Sequence, residues 1–325
     1  MKRRTVPEIE MIDYGQEHLR GRGFVAMPMM ESMRKDPQRG YPHLHGFYQV
    51  TLLTGQGRPM HDFRETAFSG PILFFVSPGQ VHTASPDPQE EGWVVSFSRE
   101  FFTAQGGDAG LLAELPFYYA SSLPPWLPLL PEEETVARGI FQDLQREYDA
   151  AQPGAAEILQ ALLRILFVRA SRWYGRAHPI GRGTRASRLV REFHLLVEQH
   201  FHEWQTLDSY AQQLGVTVNH LNDVVREETG SAAGEQIRQR RLLDAKRLLL
   251  HSDLSISEIG YRLGFDDPSY FSRFFRRYEG GTPAGFREEI REKYHSREID
   301  PGRARCSGSA AGAPCVPHAR VLRTT

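Results

Sequence analysis

The chain has 325 residues, room for two ordinary domains and a connection between them. With 40% hydrophobic and 24% charged residues, it has the composition of a folded globular protein and excludes a fibrous or wholly disordered one. A formal net charge of -1 gives no bulk signal for a polyanionic partner, so any basic surface must be local.

The opening Met1-Lys2-Arg3-Arg4 is basic, but Val6-Pro7-Glu8 follows where a secretory leader would place an apolar run. No later stretch approaches the ~20 apolar residues of a spanning helix. A cytoplasmic protein is expected. From Ile9 to Phe102 short apolar runs alternate with Gly and Pro: 47–53, 71–76 and 92–97. Their lengths and their aromatic and β-branched residues predict strands of an all-β barrel or sandwich. At Pro131 the pattern turns helical. Glu132-Glu133-Glu134 suits the positive end of a helix dipole, and Val136, Ile140, Leu144 and Tyr148 make one apolar stripe. Gln152-Pro153-Gly154 interrupts it, and Ile158, Leu159, Leu162, Leu163 and Leu166 begin a second helix. The two form a hairpin whose second member is apolar over a wide face. That face suits either a homodimer seam or packing against the β zone. Residues 176–187, rich in Arg, Gly and Pro, read as a linker, 188–292 as helical, and 293–325 as a disordered tail. Both cysteines, Cys306 and Cys315, fall in that tail, so neither can staple a core.

The helical zone holds a repeat. Leu221 is followed by Val224, Val225, Arg226 and Gly230, and Phe271 by Phe274, Phe275, Arg276 and Gly280 at the same offsets. Apolar residues three and four positions on keep one helix face on a core, and the glycine suits a left-handed cap. Upstream, Tyr210-Ala211…Leu214-Gly215-Val216 corresponds to Ile259-Gly260…Leu263-Gly264-Phe265, a short helix ending in a glycine turn. The second turn is one residue longer. Each copy reads as a helix-turn-helix. Between them residues 236–250 contain no breaker and predict one rigid connector. Such a rod lets two reading helices enter successive major-groove segments, about 34 Å apart.

Residues 207–287 resemble the DNA-binding domain of the AraC/XylS transcription regulators. The run Ile256-Ser257-Glu258-Ile259-Gly260-Tyr261-Arg262-Leu263-Gly264-Phe265, continued by Asp266-Asp267-Pro268-Ser269-Tyr270-Phe271-Ser272-Arg273-Phe274-Phe275-Arg276 and then Gly281-Thr282-Pro283, follows its signature nearly throughout. The resemblance implies base reading by Asn219, Asn222 and Asp223 on the first helix and by Asp267, Ser269, Ser272 and Arg273 on the second. Asn pairs with adenine, Arg with guanine, and Asp accepts from cytosine. Asp223 departs from the family pattern, which carries a basic or neutral residue there, and predicts a weak first unit or a cytosine-bearing site. Phosphate contacts are expected among Arg238, Arg240, Arg241, Lys246, Arg247, Arg276 and Arg277, some of which must instead pair with nearby acids. The implied partners are double-stranded DNA and RNA polymerase, the implied action usually activation.

His43-Leu44-His45 and Pro78-Gly79-Gln80-Val81-His82, within about 41–102, resemble a cupin barrel, a sensor domain common in this family. The expected whole is therefore a two-domain α+β protein: cupin-like barrel (1–130), helical hairpin (131–175) and all-α double helix-turn-helix domain. Metal-binding cupins add a Glu after the His-x-His, and here Gln49 stands in its place, so the expectation is no metal and no cofactor. An apolar pocket for an unknown small-molecule effector is expected instead, with His43, His45, Tyr48, His82 and Trp93 as candidate lining. No nucleophile–base pair or phosphate loop supports catalysis. A metal-dependent cupin enzyme with an appended DNA-binding domain is the rival reading.

Overall fold

The computed structural model describes residues 8–9, 11, 23–35, 37–65, 67–83, 92–104, 112, 115–118, 126–177, 185–204 and 206–299. Its N-terminal half runs β1 (Phe24–Pro28), α1 (Met29–Lys35), β2 (Tyr48–Leu53), β3 (Gln56–Gly57), β4 (Met60–His61), β5 (Arg64–Glu65), β6 (Phe68–Ser69), β7 (Ile72–Val76), β8 (Gly92–Phe97), α2 (Arg99–Thr103) and β9 (Trp126–Pro128). Five of the strands form an antiparallel sheet in the order β1-β8-β2-β7-β9, with Leu52 paired to Leu73 on one side and Trp93 on the other. Every residue of β2 and β7 is buried, because their near-continuous apolar runs are covered on both faces.

The expected closed cupin barrel is corrected here: the described strands make an open sheet. Gly55 (φ 104) and Gly70 (φ 91) bend the chain where a long ladder would continue, and β3–β6 and β4–β5 pair over only two residues per strand. Facing the sheet is a ragged second layer joined by single bridges, Glu8 to Leu44 and His82 to both His43 and His61.

The helical hairpin is α3 (Pro131–Ala150) and α4 (Ala155–Ala177). Ala151 and Gly154, at φ 48 and 87, turn the chain between them. Glu133 clasps its open end: the carboxylate accepts the Leu130 N–H (2.9 Å) and the Arg176 guanidinium (2.8 and 3.1 Å). Ile140, Leu144 and Tyr148 are buried as their spacing predicts, and Val136 partly. Phe167 of α4 meets Phe97, Phe102, Phe117 and Tyr118, with ring centroids 5.6–6.2 Å apart. Burying one such ring contributes about 1.5–3 kcal/mol, so the hairpin is part of the sheet's core. Outside it, Ile158, Ile165 and Val168 stay 47%, 46% and 43% exposed.

The C-terminal half is α5 (Arg185–His200), α6 (Leu207–Gln213), α7 (Val218–Thr229), α8 (Ala233–His251), α9 (Ile256–Arg262), α10 (Pro268–Glu279) and α11 (Pro283–Ile299). It has two separate apolar cores. The first gathers Val190, Phe193, Tyr210, Leu221 and Val225 against Ala233 and Ile237 of α8. The second gathers Ile259, Leu263, Phe271 and Phe275 against Leu242, Ala245 and Leu249 of the same helix. Thr282 caps α11, its hydroxyl accepting the Gly285 N–H, and Pro283 occupies the first turn where no amide donor is needed. From α11, Arg287 and Arg291 donate to the Leu249, Leu254 and Ser252 carbonyls at and beyond the end of α8. Cations suit that negative helix end.

Three boundaries differ from expectation. Helices α4 and α5 enter the expected linker from either side, leaving 178–184 outside the described residues, and α11 runs to Ile299, past the expected start of the tail. The remaining tail, with both cysteines, also lies outside them.

Candidate nucleic-acid interface

Each helix-turn-helix is set by a glycine. Gly215 (φ 65) and Gly264 (φ 76) adopt the left-handed region. The next residue reaches back five positions, Val216 N–H to the Ala211 carbonyl and Phe265 N–H to that of Gly260, both 3.0 Å. This satisfies the last carbonyls of α6 and α9 and turns the chain toward the reading helix. A small residue is needed at Gly260, where an added Cβ would stand 3.2 Å from the Phe271 Cβ. The reading helices begin at different caps: Thr217 accepts from the His220 N–H, whereas Asp267 accepts from the Ser269 N–H and is followed by Pro268. Helix α8 is unbroken over its 19 residues. It is therefore about 28 Å long at 1.5 Å per residue.

Both reading helices turn their apolar faces inward and their polar faces outward. On α7, Leu221 and Val225 are fully buried while Asn219 and Asp223 are exposed. Asn222 is half-buried, and its carbonyl oxygen accepts the Ala233 N–H (3.2 Å), so it ties α7 to α8. On α10, Phe271 and Phe275 are buried; Ser269 and Arg273 are exposed, Ser272 half-buried, and Asp267 is exposed at the cap. The guanidinium of Arg273 lies 4.3 Å from the Tyr270 ring centroid. His220, Arg226, Tyr261 and Tyr270 also face outward on these units. Sequence reasoning passed over them, although their offsets from Leu221 and Phe271 placed them off the core face.

The expected phosphate contacts separate into two groups. Arg276 and Arg277 are exposed on α10, and Arg238 is 40% exposed beside Glu235. Arg238 pairs with that carboxylate, and the remaining four are held inward by partners, as expected of some of the set. Arg240 is held between Glu198 (2.9 Å) and Asp244 (3.4 Å) with its guanidinium 3.9 Å from the Phe201 ring centroid. Arg241 donates to the Leu263 carbonyl (2.8 Å) and stacks on Phe265. Lys246 pairs with Glu279 (2.5 Å), and Arg247 is buried against Asp62 of the N-terminal half. These cations close the cores and join the domains.

The candidate effector residues also divide. His43, His45 and His82 pack together, with ring centroids 4.2–6.1 Å apart, and His61 joins them through its bridge to His82. Nδ1 of His43, His45 and His82 each faces a backbone carbonyl, of Tyr41, Phe47 and Gln80. A carbonyl only accepts, so the proton sits on Nδ1. The Nε2 of His45 is buried with no hydrogen-bond partner. Burial first, and then the neighbouring histidines, hold His45 and His82 well below the ordinary imidazole range. Among the described residues no group of three or more His, Cys, Asp or Glu is placed to hold a metal ion. Gln49 stands apart, its amide engaging Thr51 and Ser96. Tyr48 accepts from Arg99 and stacks on Phe97, and Trp93 donates to Gln145 of α3.

Comparison with known proteins agrees with the C-terminal geometry. A family described as "Helix-turn-helix domain" matches residues 210–289. The chain is 26% identical over 258 residues to the HTH-type transcriptional activator RhaS of Salmonella schwarzengrund (strain CVM19633), covering 78% of this chain and 89% of that one. Among solved structures, the C-terminal domain of AraT, a response regulator from Geobacillus stearothermophilus, is 31% identical, covering 33% of this chain and 88% of its own with a TM-score of 0.31. An AraC-type transcriptional regulator from Chromobacterium violaceum is 25% identical, covering 36% of this chain and 97% of its own with a TM-score of 0.30. Among the described residues no helix is long and apolar enough to cross a membrane. Paired readers on one connector, both within the matched helix-turn-helix family, make this chain a DNA-binding transcription regulator similar to those of the AraC/XylS family.

Proposed function

We propose that the chain is an effector-responsive transcription activator rather than an enzyme, working in the cytoplasm as a homodimer. One observation carries the DNA-reading part of this: two polar helix faces point outward from separate cores that share α8 as a wall. Asn219 and Asp223 on α7, and Ser269 and Arg273 on α10, read base edges, with Asp267, Ser272 and Asn222 at the margins of those faces. Arg238, Arg276 and Arg277 meet phosphates. The exposed Ile158, Ile165 and Val168 of α4 form the dimer face, since an apolar stripe at helical spacing is stabilised by a second copy. The activator reading follows the printed name of RhaS, and a contact with RNA polymerase follows the family resemblance.

The effector belongs to the N-terminal half, where the buried histidine cluster supplies the polar groups that an otherwise apolar domain needs to orient a ligand. The test is selection of bound genomic fragments by the full-length protein, followed by affinity measurements over a range of salt. Sequence-selective binding that weakens steeply with salt supports the reading; salt-sensitive binding without sequence preference defeats it. Stoichiometric iron, manganese or zinc that is lost in His45→Ala would favour the metal-dependent enzyme instead.

A further inference from the structure

The two halves of the molecule meet at the tip of a hairpin. Asp62 and Phe63 connect β4 to β5 with φ of 44 and 69. Two successive left-handed residues suit a tight hairpin, but that turn ordinarily takes Asn-Gly or Asp-Gly. A phenylalanine there is strained by about 1–3 kcal/mol, and such strain persists only where the surroundings over-determine it.

Here the surroundings are the DNA-binding half. Both carboxylate oxygens of Asp62 receive the Arg247 guanidinium, at 2.9 and 2.5 Å, and the two side chains are only 10% and 8% exposed. Burial alone would raise the Asp62 carboxyl, but Arg247, His61 and the Val81 N–H outweigh it and hold the group ionised below its usual range. Phe63 lies edge-on to Phe286 of α11 at 6.0 Å, and the Lys246 ammonium is 6.0 Å from its ring. A small apolar cluster seals the contact: Leu44, Met60 and Val81 on one side, Leu250 and Ile290 on the other. The root of the hairpin is wired inward. His61 Nε2 lies 3.0 Å from the Gln80 side-chain oxygen, and the backbone of His61 is bridged to His82 of the histidine cluster.

We propose that the Asp62–Phe63 tip is a latch by which the N-terminal half controls the DNA-binding half, docked and strained as seen here and relaxed once released. This rests on the regulator reading above. The ion pair makes the device two-state, because removing either partner strands a buried charge and leaves no stable half-docked form. The reading faces at Asn219, Asp223, Ser269 and Arg273 are exposed while the tip is docked, so the latch sets orientation and does not cover them. A ligand gripping the histidine cluster would move His61 and with it Asp62, biasing the equilibrium by its different affinity for the two forms.

The test is a cycle in the full-length protein: Asp62→Asn, Arg247→Gln and the double variant, each measured for affinity to selected DNA and for hydrogen exchange. Asp62→Asn makes the chain more positive and Arg247→Gln more negative. Simple charge attraction therefore predicts opposite shifts in DNA affinity. The latch predicts one shared shift, at least about fivefold and no larger in the double variant, with faster exchange over 60–65 and 286–291 but not over 219–229. Opposite shifts, unchanged affinity or unchanged exchange each overturn it. Should Asp62→Asn fail to fold, Arg247→Lys keeps the charge and loses the two-pronged contact, and must give the same shift in weaker form. A wild type with no sequence preference defeats the regulator reading itself; a selective wild type with silent variants defeats the latch alone.

Discussion

The two helix-turn-helix units share one backbone plan and differ in almost everything laid on it. The first turns an aliphatic pair, Leu221 and Val225, from its reading helix into a core shared with Phe193 and Tyr210, and its reading face mixes Asn219, His220 and Asp223 with one exposed arginine, Arg226. The second is aromatic inside, centred on Phe271 and Phe275 with Phe265 and Phe274 alongside, and its reading helix exposes Arg273, Arg276 and Arg277. Even the turns differ: three positions separate the C-cap Leu214 from the N-cap Thr217, and four separate Leu263 from Asp267. The lesson is that the scaffold fixes where a side chain points, while the outward residues set how strongly each unit holds DNA. The second unit is expected to anchor and the first to discriminate.

The strongest challenge to that contrast is in the cores. Phe271→Ala removes a fully buried ring and should cost about 3–5 kcal/mol, read as a drop in thermal midpoint. Leu221→Ala should cost less, about 2–4 kcal/mol; equal losses would mean that the two cores are equally packed. Next in size is base reading. Arg273→Ala should lose about 1–3 kcal/mol of DNA affinity and relax one base position, and Asn219→Ala less. An equal loss on every sequence would assign Arg273 to phosphate. Gly215→Ala has open space for its Cβ but a φ of 65, so it should destabilise by about 1–2 kcal/mol through backbone strain alone. Smallest is Asp223→Asn, which should tighten binding by under about 1 kcal/mol and flatten any preference for cytosine; weaker binding across all sites would show that the acid was helping.

The repeat was legible because its information is local. Glycine at a fixed offset and apolar residues three and four positions apart specify a helix, a turn and a buried face without reference to the rest of the chain. The same holds for the hairpin break at 152–154 and for the runs that became β2, β7 and β8. What sequence could not reveal depended on distant partners. Arg247 resembles any other arginine on a basic helix, and only the fold brings Asp62 to it across 185 positions. Arg240 and Arg241 lie next to one another in the chain, yet Glu198 and the Leu263 carbonyl draw both inward. Barrel closure was equally illegible, because apolar runs predict strands but not which strands pair. His61 was missed for a related reason: only its bridge to His82 places it beside the His-x-His motif.

One helix walls both C-terminal cores, so the distance between the readers is not open to gradual adjustment. A residue inserted in α8 would rotate one unit about 100° relative to the other and uncover apolar side chains. New promoter preferences must therefore arise by exchanging outward residues while the spacing of the two contacted tracts stays constant. Relatives that diverge widely in target sequence should still share that interval on the duplex.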